Sequence, residues 1–484
     1  MSGAMRAVAR GQPAPSWYFT APWEHSSARR GDALGFRALA DHYADLLAPG
    51  LSNSTVDARW LTLLSWSLHA SHQAWAQAGG AEADLLTRAA QQARYAWLRP
   101  LELMWVARAL QTRQPHLQLR GSRSVQRWLK GGQAQDDFGM GADTLARYRQ
   151  SGLYGACRVL LRAADGLATQ HGWAAGPAGL ALARLVDGSQ KPHARLNVQP
   201  GTGAVRWQHW SDGRQARYWL AHGWPRWQDA GGLMPTEQLA AQQPLPDPER
   251  ALLRRALFAP DSVREATAHS LAAAAHSADT HFQMCQHLAR SPALGRCLGV
   301  QALAGLPAFS CLADAAMRAM RALWAGVHED PEQPAARLRR LLGDAALQAA
   351  LQDTAQASRQ WLQYPQHRAQ PRAEVVTQLA AAMHAAARPV DRLRALVRHH
   401  HEHGGGQRWF VLRGAELCPL VGASGVGASD YGFRLVPLAS LAAQCAVADM
   451  GRALDALRTG HVAGQEDADA DGLVATAAWH EAPR

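Results

Sequence analysis

The chain has 484 residues, enough for a large core and roughly two to four domains. With 48% hydrophobic and 18% charged residues it reads as globular, not disordered. It has no apolar run of about 18 residues, and residues 1–15 lack the apolar core of a signal peptide; the expectation is a soluble cytoplasmic protein with no membrane contact. The net charge is +11, and all of it lies in the first half: residues 1–230 hold 26 Lys and Arg against 15 Asp and Glu, and the remainder holds 24 of each.

Residues 1–15 read as a flexible leader. The segment 17–23 is extended and aromatic, because Pro22 disfavours helix at Ala21. Apolar spacing predicts a helix over 34–47, ended by Pro49-Gly50, and a second over 56–78, capped by Ser52, Asn53 or Ser54 and stopped by Gly79-Gly80. One or two further helices follow in 81–110, with Pro100 as a break or start. Short helices at 144–150, 154–164 and 178–186, joined by turns at Ser151-Gly152 and Asp165-Gly166, resemble a winged-helix or helix-turn-helix arrangement within 138–190. The proline-rich stretch 244–248 marks a domain boundary. It separates a basic domain, 1–240, from an alanine-rich helical domain, 249–400, punctuated by Pro331, Pro334, Pro365, Pro371 and Pro389. A small α/β element at 405–458 should hold strands at 409–413 and 431–436, a glycine-rich loop between them and a final helix over 440–457. An acidic tail, 459–484, reads as disordered. The expected fold is mainly α, multi-domain and helical, with a small C-terminal β-hairpin.

Fourteen of the 18 tryptophans lie at or before Trp227, in the basic half. Arg206, Trp207, Trp210, Arg214, Arg217, Trp219, Trp224, Arg226 and Trp227 interleave the two residue types a nucleic-acid surface uses. The guanidinium takes a phosphate and the indole stacks on a base. Arg147, Arg149 and Arg158 are the corresponding candidates in the helix-turn-helix-like stretch. By contrast Trp60, Trp66, Trp97 and Trp105 lie at helical spacing and read as core.

The string RHHHEH at 398–403 places His399 and His403 four residues apart, a spacing that suits two metal ligands. No third ligand is identifiable, and Gly404-Gly405-Gly406 follows, so an exposed, frayed helix end is expected. Gly422–Gly427 lacks the Gly-Lys-Ser/Thr of a phosphate loop and lies between strands. His281 and His287 sit in a helical stretch, and Asp136-Asp137 lacks the other residues of a nuclease site. Six scattered cysteines without a CxxC pair read as reduced, mostly buried thiols. Neither a metal nor a cofactor is expected.

The segment 40–66 (ADHYADLLAPGLSNSTVDARWLTLLSW) resembles the N-terminal signature of bacterial proteins found in defence and restriction gene clusters. The stretches 138–156 and 408–435 resemble such proteins as well. The resemblance implies an antiviral context and supplies no catalytic residues. The expected function is a non-enzymatic nucleic-acid-binding component, DNA favoured over RNA, acting with other protein subunits: a separate helicase, nuclease or ATPase. The alternatives are a kleisin-like or scaffold adaptor, which the neutral second half also fits, and a nuclease with a dispersed acidic site.

Overall fold

The computed structural model describes residues 32–53, 55–77, 79–81, 85, 87–111, 122, 126, 152–188, 245–329, 336–404, 408–420 and 431–459. The fold is mainly α, with one small antiparallel sheet.

Helix α1 (Arg37–Leu47) buries Leu39, Ala40, Tyr43, Ala44 and Leu47, the three- and four-residue spacing read from the sequence. Asp32 supplies its cap, accepting from the Phe36 and Arg37 N–H groups at 2.9 and 2.7 Å. Helix α2 (Arg59–Gln77) opens where Asp57 accepts the Arg59 N–H at 2.9 Å. Every residue from Arg59 to Leu68 is buried, which makes α2 the central helix of this half. Around it pack α3 (Arg88–Gln111) and α5 (Pro177–Gly188), with α4 (Leu153–Ala163) at one end. The turn between α4 and α5 is closed by a bridge between Ala168 and Ala175. Gly179 allows this turn to sit on α5, since a Cβ there would meet the Leu167 carbonyl oxygen at 2.1 Å. The helix expected at 144–150 lies outside the described residues.

The proline-rich stretch leads directly into α6 (Asp247–Leu257), whose buried face lies on the N-terminal helices. There the Asp165 N–H reaches the Ala256 carbonyl at 3.0 Å. On α7 (Val263–Ala274) the buried Arg264 donates to the carbonyls of Leu257, Pro49 and Ala163. After α8 (His281–Arg290) and α9 (Pro292–Leu298), the long α10 (Leu306–His328) forms the axis of the second half. Then come β1 (Ala336–Arg337), α11 (Leu338–Leu341), α12 (Ala345–Gln363), α13 (Pro365–Arg368), α14 (Glu374–Ala385) and α15 (Pro389–His403). Ser262, Thr280, Ser291 and Asp344 cap α7, α8, α9 and α12 with their side chains. Pro365 and Pro389 open α13 and α15, a position where the missing N–H costs nothing.

The C-terminal element differs from expectation in two ways. Strand β2 (Phe410–Arg413) pairs not with 431–436 but with β3 (Glu416–Pro419), across a two-residue turn whose Gly414 has φ +61°. The sheet order is β1-β3-β2. Residues 431–434 lead instead into α16 (Leu435–Gln444), with Phe433 and Arg434 both left-handed. The single helix expected over 440–457 is two, α16 and α17 (Gly451–Thr459), divided where Ala446 turns left-handed and Asp449 caps Gly451.

One connected apolar core runs from Ala33 to Leu457. It joins both halves: the Gln444 side chain of α16 accepts the Ala58 N–H and donates to the Val56 carbonyl at the head of α2. Among the described residues, no helix is long and apolar enough to cross a membrane.

Candidate functional site

Of the twelve basic and aromatic residues singled out above, the structure describes Arg158. Arg147, Arg149 and the whole segment from Arg206 to Trp227 lie outside the described residues, as do Asp136-Asp137 and the glycine-rich loop 422–427. Arg158 is half-buried on α4, its guanidinium 5.2 Å from the centre of the Trp173 ring. Trp173 is fully buried, with Tyr154 at 5.1 Å. The arginine–indole stack is therefore closed by protein, and the indole face is not offered to a base.

Beneath Arg158 lies a polar cluster that sequence reading missed. Arg94 of α3 is fully buried; it donates to the Trp173 carbonyl at 2.7 Å, to the Leu68 carbonyl and to Ser71, and lies over the Trp75 ring at 5.4 Å. Glu102, also on α3, accepts the Tyr95 hydroxyl at 2.9 Å and the Tyr154 N–H at 3.0 Å. Its carboxyl thus fills the N-terminus of α4, where the helix dipole favours an anion. Burial nevertheless pushes it up to about 7, ahead of the lowering by those hydrogen bonds and by Arg99. At the head of α2 Asp57, pushed up to about 6 by burial, precedes Arg59, which pairs with Glu249 of α6 at 3.3 Å. Burial raises Glu249 as well, more than Arg59 lowers it.

Carboxyls raised toward neutrality are what general acid–base chemistry needs. Here both oxygens of Glu102 are committed and the side chain is sealed from solvent. The cluster joins helices. The sequence did carry a weak signal, a single carboxylate in the apolar run LELMW at 101–105.

A second cluster centres on His281, whose Nδ1 lies 3.2 Å from Ser310 Oγ and 3.9 Å from Cys285 Sγ. Phe433 stacks on the imidazole at 5.5 Å. All four side chains are buried, which puts both nucleophiles out of reach, and burial pushes the Cys285 thiol far up, so it is not activated. His287 is exposed on the same helix and meets Ser277 at 3.1 Å.

The histidine string corrects a further expectation. It is not a frayed, exposed end: His399 and His400 are 4% and 1% exposed. His399 donates to the Leu34 carbonyl at 2.9 Å and His400 to Ala33 at 2.7 Å, while His401 donates to Phe410 at 2.6 Å. Backbone groups thus take up Nε2 of His399 and of His401 and both nitrogens of His400, and among the described residues no group of three His, Cys, Asp or Glu side chains is placed to hold a metal ion. Of the cysteines, Cys157, Cys285 and Cys445 are buried, Cys311 and Cys418 partly so, and Cys297 is exposed.

What fold and clusters define is a mainly α-helical protein whose described polar groups tie helices together. Comparison with family models, with curated proteins and with solved structures finds no match.

Proposed function

We propose that this chain is a cytoplasmic, non-enzymatic nucleic-acid-binding component of a bacterial antiviral defence system, working on DNA with a separate helicase, nuclease or ATPase. The observation that carries the reading is the charge asymmetry: an excess of 11 basic residues in 1–230 and none thereafter. Forty-eight of the 50 basic side chains are arginine, whose planar fork pairs with phosphate and stacks on bases. The interleaved arginines and tryptophans of 206–227 are the candidate contact surface.

The test is salt-titrated binding of the full chain to single- and double-stranded DNA. Phosphate contacts release counterions, so affinity should fall steeply between low and physiological salt. Arg214→Ala with Arg217→Ala should weaken binding by roughly 1–3 kcal/mol in total without lowering Tm. Binding indifferent to salt, or unchanged in the double variant, would remove nucleic acid from the proposal. The neutral, alanine-rich second half would then favour the adaptor reading, in which helix faces meet protein partners.

A further inference from the structure

The C-terminal turn of α15 grips two segments far apart in sequence. On one side are Ala33 and Leu34, just before α1; on the other are Trp409 and Phe410, at the start of the hairpin. His400 connects both. Its Nδ1 lies 2.7 Å from the Ala33 carbonyl, an acceptor only, so Nδ1 carries the hydrogen. Its Nε2 accepts the Trp409 N–H at 2.8 Å and so carries none. The partners fix one neutral tautomer and leave no position for a second proton. A proton on Nε2 would set N–H against the Trp409 N–H in a site only 1% exposed. The Nδ1 side is closely packed: a Cβ on Gly404 would lie 2.5 Å from the His400 carbonyl oxygen and 3.0 Å from that of Ala33.

We infer that this end of α15 is an acid-released clasp, in which protonation of His400, with His399 beside it, frees the Ala33–Leu34 segment and the hairpin from the helical bundle. The surrounding charges favour release. On α15 itself, His401 disfavours a charge on His400, and His403 and His400 disfavour one on His399; Arg408, before β2, adds its positive charge. Asp32, on the N-terminal segment, is committed to the Phe36 and Arg37 N–H groups and the Tyr431 hydroxyl. From α10 comes His328, under Trp324, whose ring packs on Trp409 and Phe410. Burial is the largest influence on both histidines, holding His399 at about 4 and lowering His400.

If release restores an ordinary histidine value near 6.5, the opening equilibrium should rise by up to about thirtyfold at pH 5.0 for each histidine set free. Hydrogen–deuterium exchange on the full chain, corrected for the intrinsic pH dependence, reads this directly. Expected is an approximately thirtyfold or greater loss of protection at the Trp409 amide between pH 7.5 and 5.0, while amides inside α10 and α12 keep theirs. Unchanged protection at Trp409 overturns the clasp. So does an equal loss throughout α10 and α12, which is global unfolding. His400→Asn keeps a donor for Ala33 but has nothing to protonate, so its Trp409 amide should lose most of the pH response; a full response in this variant also overturns the proposal. Nitrogen-15 spectra of the wild-type imidazoles give a check that needs no variant: His400 should show the Nδ1–H tautomer at pH 7.5, and the Nε2–H tautomer would refute the geometry.

Discussion

Glu102 shows how much a single buried side chain can decide. Its carboxylate takes the Tyr95 hydroxyl and the first turn of α4, yet burial leaves it near 7 rather than the usual value near 4.5. A carboxyl raised on folding contributes stability that is present below its unfolded value and lost as pH rises through the folded one. Between pH 4.5 and 7 this group alone should therefore remove up to about 3 kcal/mol. Glu102→Gln keeps an amide of the same shape and does not titrate. The stability of the wild type relative to this variant, from urea unfolding at several pH values, should decline across that window; a constant difference would show that the carboxyl stays ionised. Sequence reading placed Trp60, Trp66, Trp97 and Trp105 in the core; three are buried there, and Trp97 is only partly buried, packed against it. It had no means of placing Arg94, because a fully buried guanidinium depends on the carbonyl of Trp173, which lies 79 residues away.

At the scale of elements, the helices were legible where apolar periodicity and punctuation agreed: α1 stops just before Pro49-Gly50, α2 just before Gly79-Gly80, and α15 opens at Pro389, whereas the cap expected from Ser52, Asn53 or Ser54 is supplied instead by Asp57, at the head of α2. The C-terminal hairpin was half legible. Val, Leu and aromatic residues marked β2, but its partner β3 is only Glu416–Pro419, too short and too mixed to show a period of two. The split of the last helix was invisible because Ala446, an ordinary helix former, adopts φ +51°. That conformation costs an L-residue roughly 1–2 kcal/mol, which glycine avoids at a smaller entropic cost. Ala446→Gly should accordingly leave stability unchanged or raise it by up to about 1 kcal/mol; a loss above that in thermal unfolding would mean the methyl group is needed. A second element-level prediction concerns the pair that joins α2 to α6. Arg59 and Glu249 have side chains only 7% and 8% exposed. Removing either partner strands a buried charge, so Arg59→Ala or Glu249→Ala should each cost about 3–5 kcal/mol. Replacing both, as Arg59→Met with Glu249→Leu, should cost clearly less than the sum, and additive losses would show that the two do not act as a pair.

At the scale of the whole molecule, charge and packing divide the chain differently. The charge changes near residue 230, but the core does not change with it. Arg264 of α7 closes over the Pro49 and Ala163 carbonyls, Thr267 donates to the Leu47 carbonyl, and Gln444 and Ser440 of α16 hold Val56 at the head of α2. A composition count cannot reveal such links, since each is one polar contact between segments 100 to 400 residues apart. They couple the two halves, so that loss of structure in one exposes polar groups and core of the other. Tryptophan fluorescence reports chiefly on the first half, which carries 14 of the 18 indoles, whereas far-ultraviolet circular dichroism reports on every helix. The two signals should therefore trace one denaturant transition with a common midpoint, as coupled unfolding demands. Two separated midpoints, with fluorescence changing first, would mean that the links through Arg264 and Gln444 are weak. The basic half would then stand as a unit of its own and could be assayed alone for DNA binding. With coincident midpoints, residues 1–240 by themselves would lack α6, α7 and α16, the cover of their own core, and only the full chain gives the DNA-binding experiment its meaning.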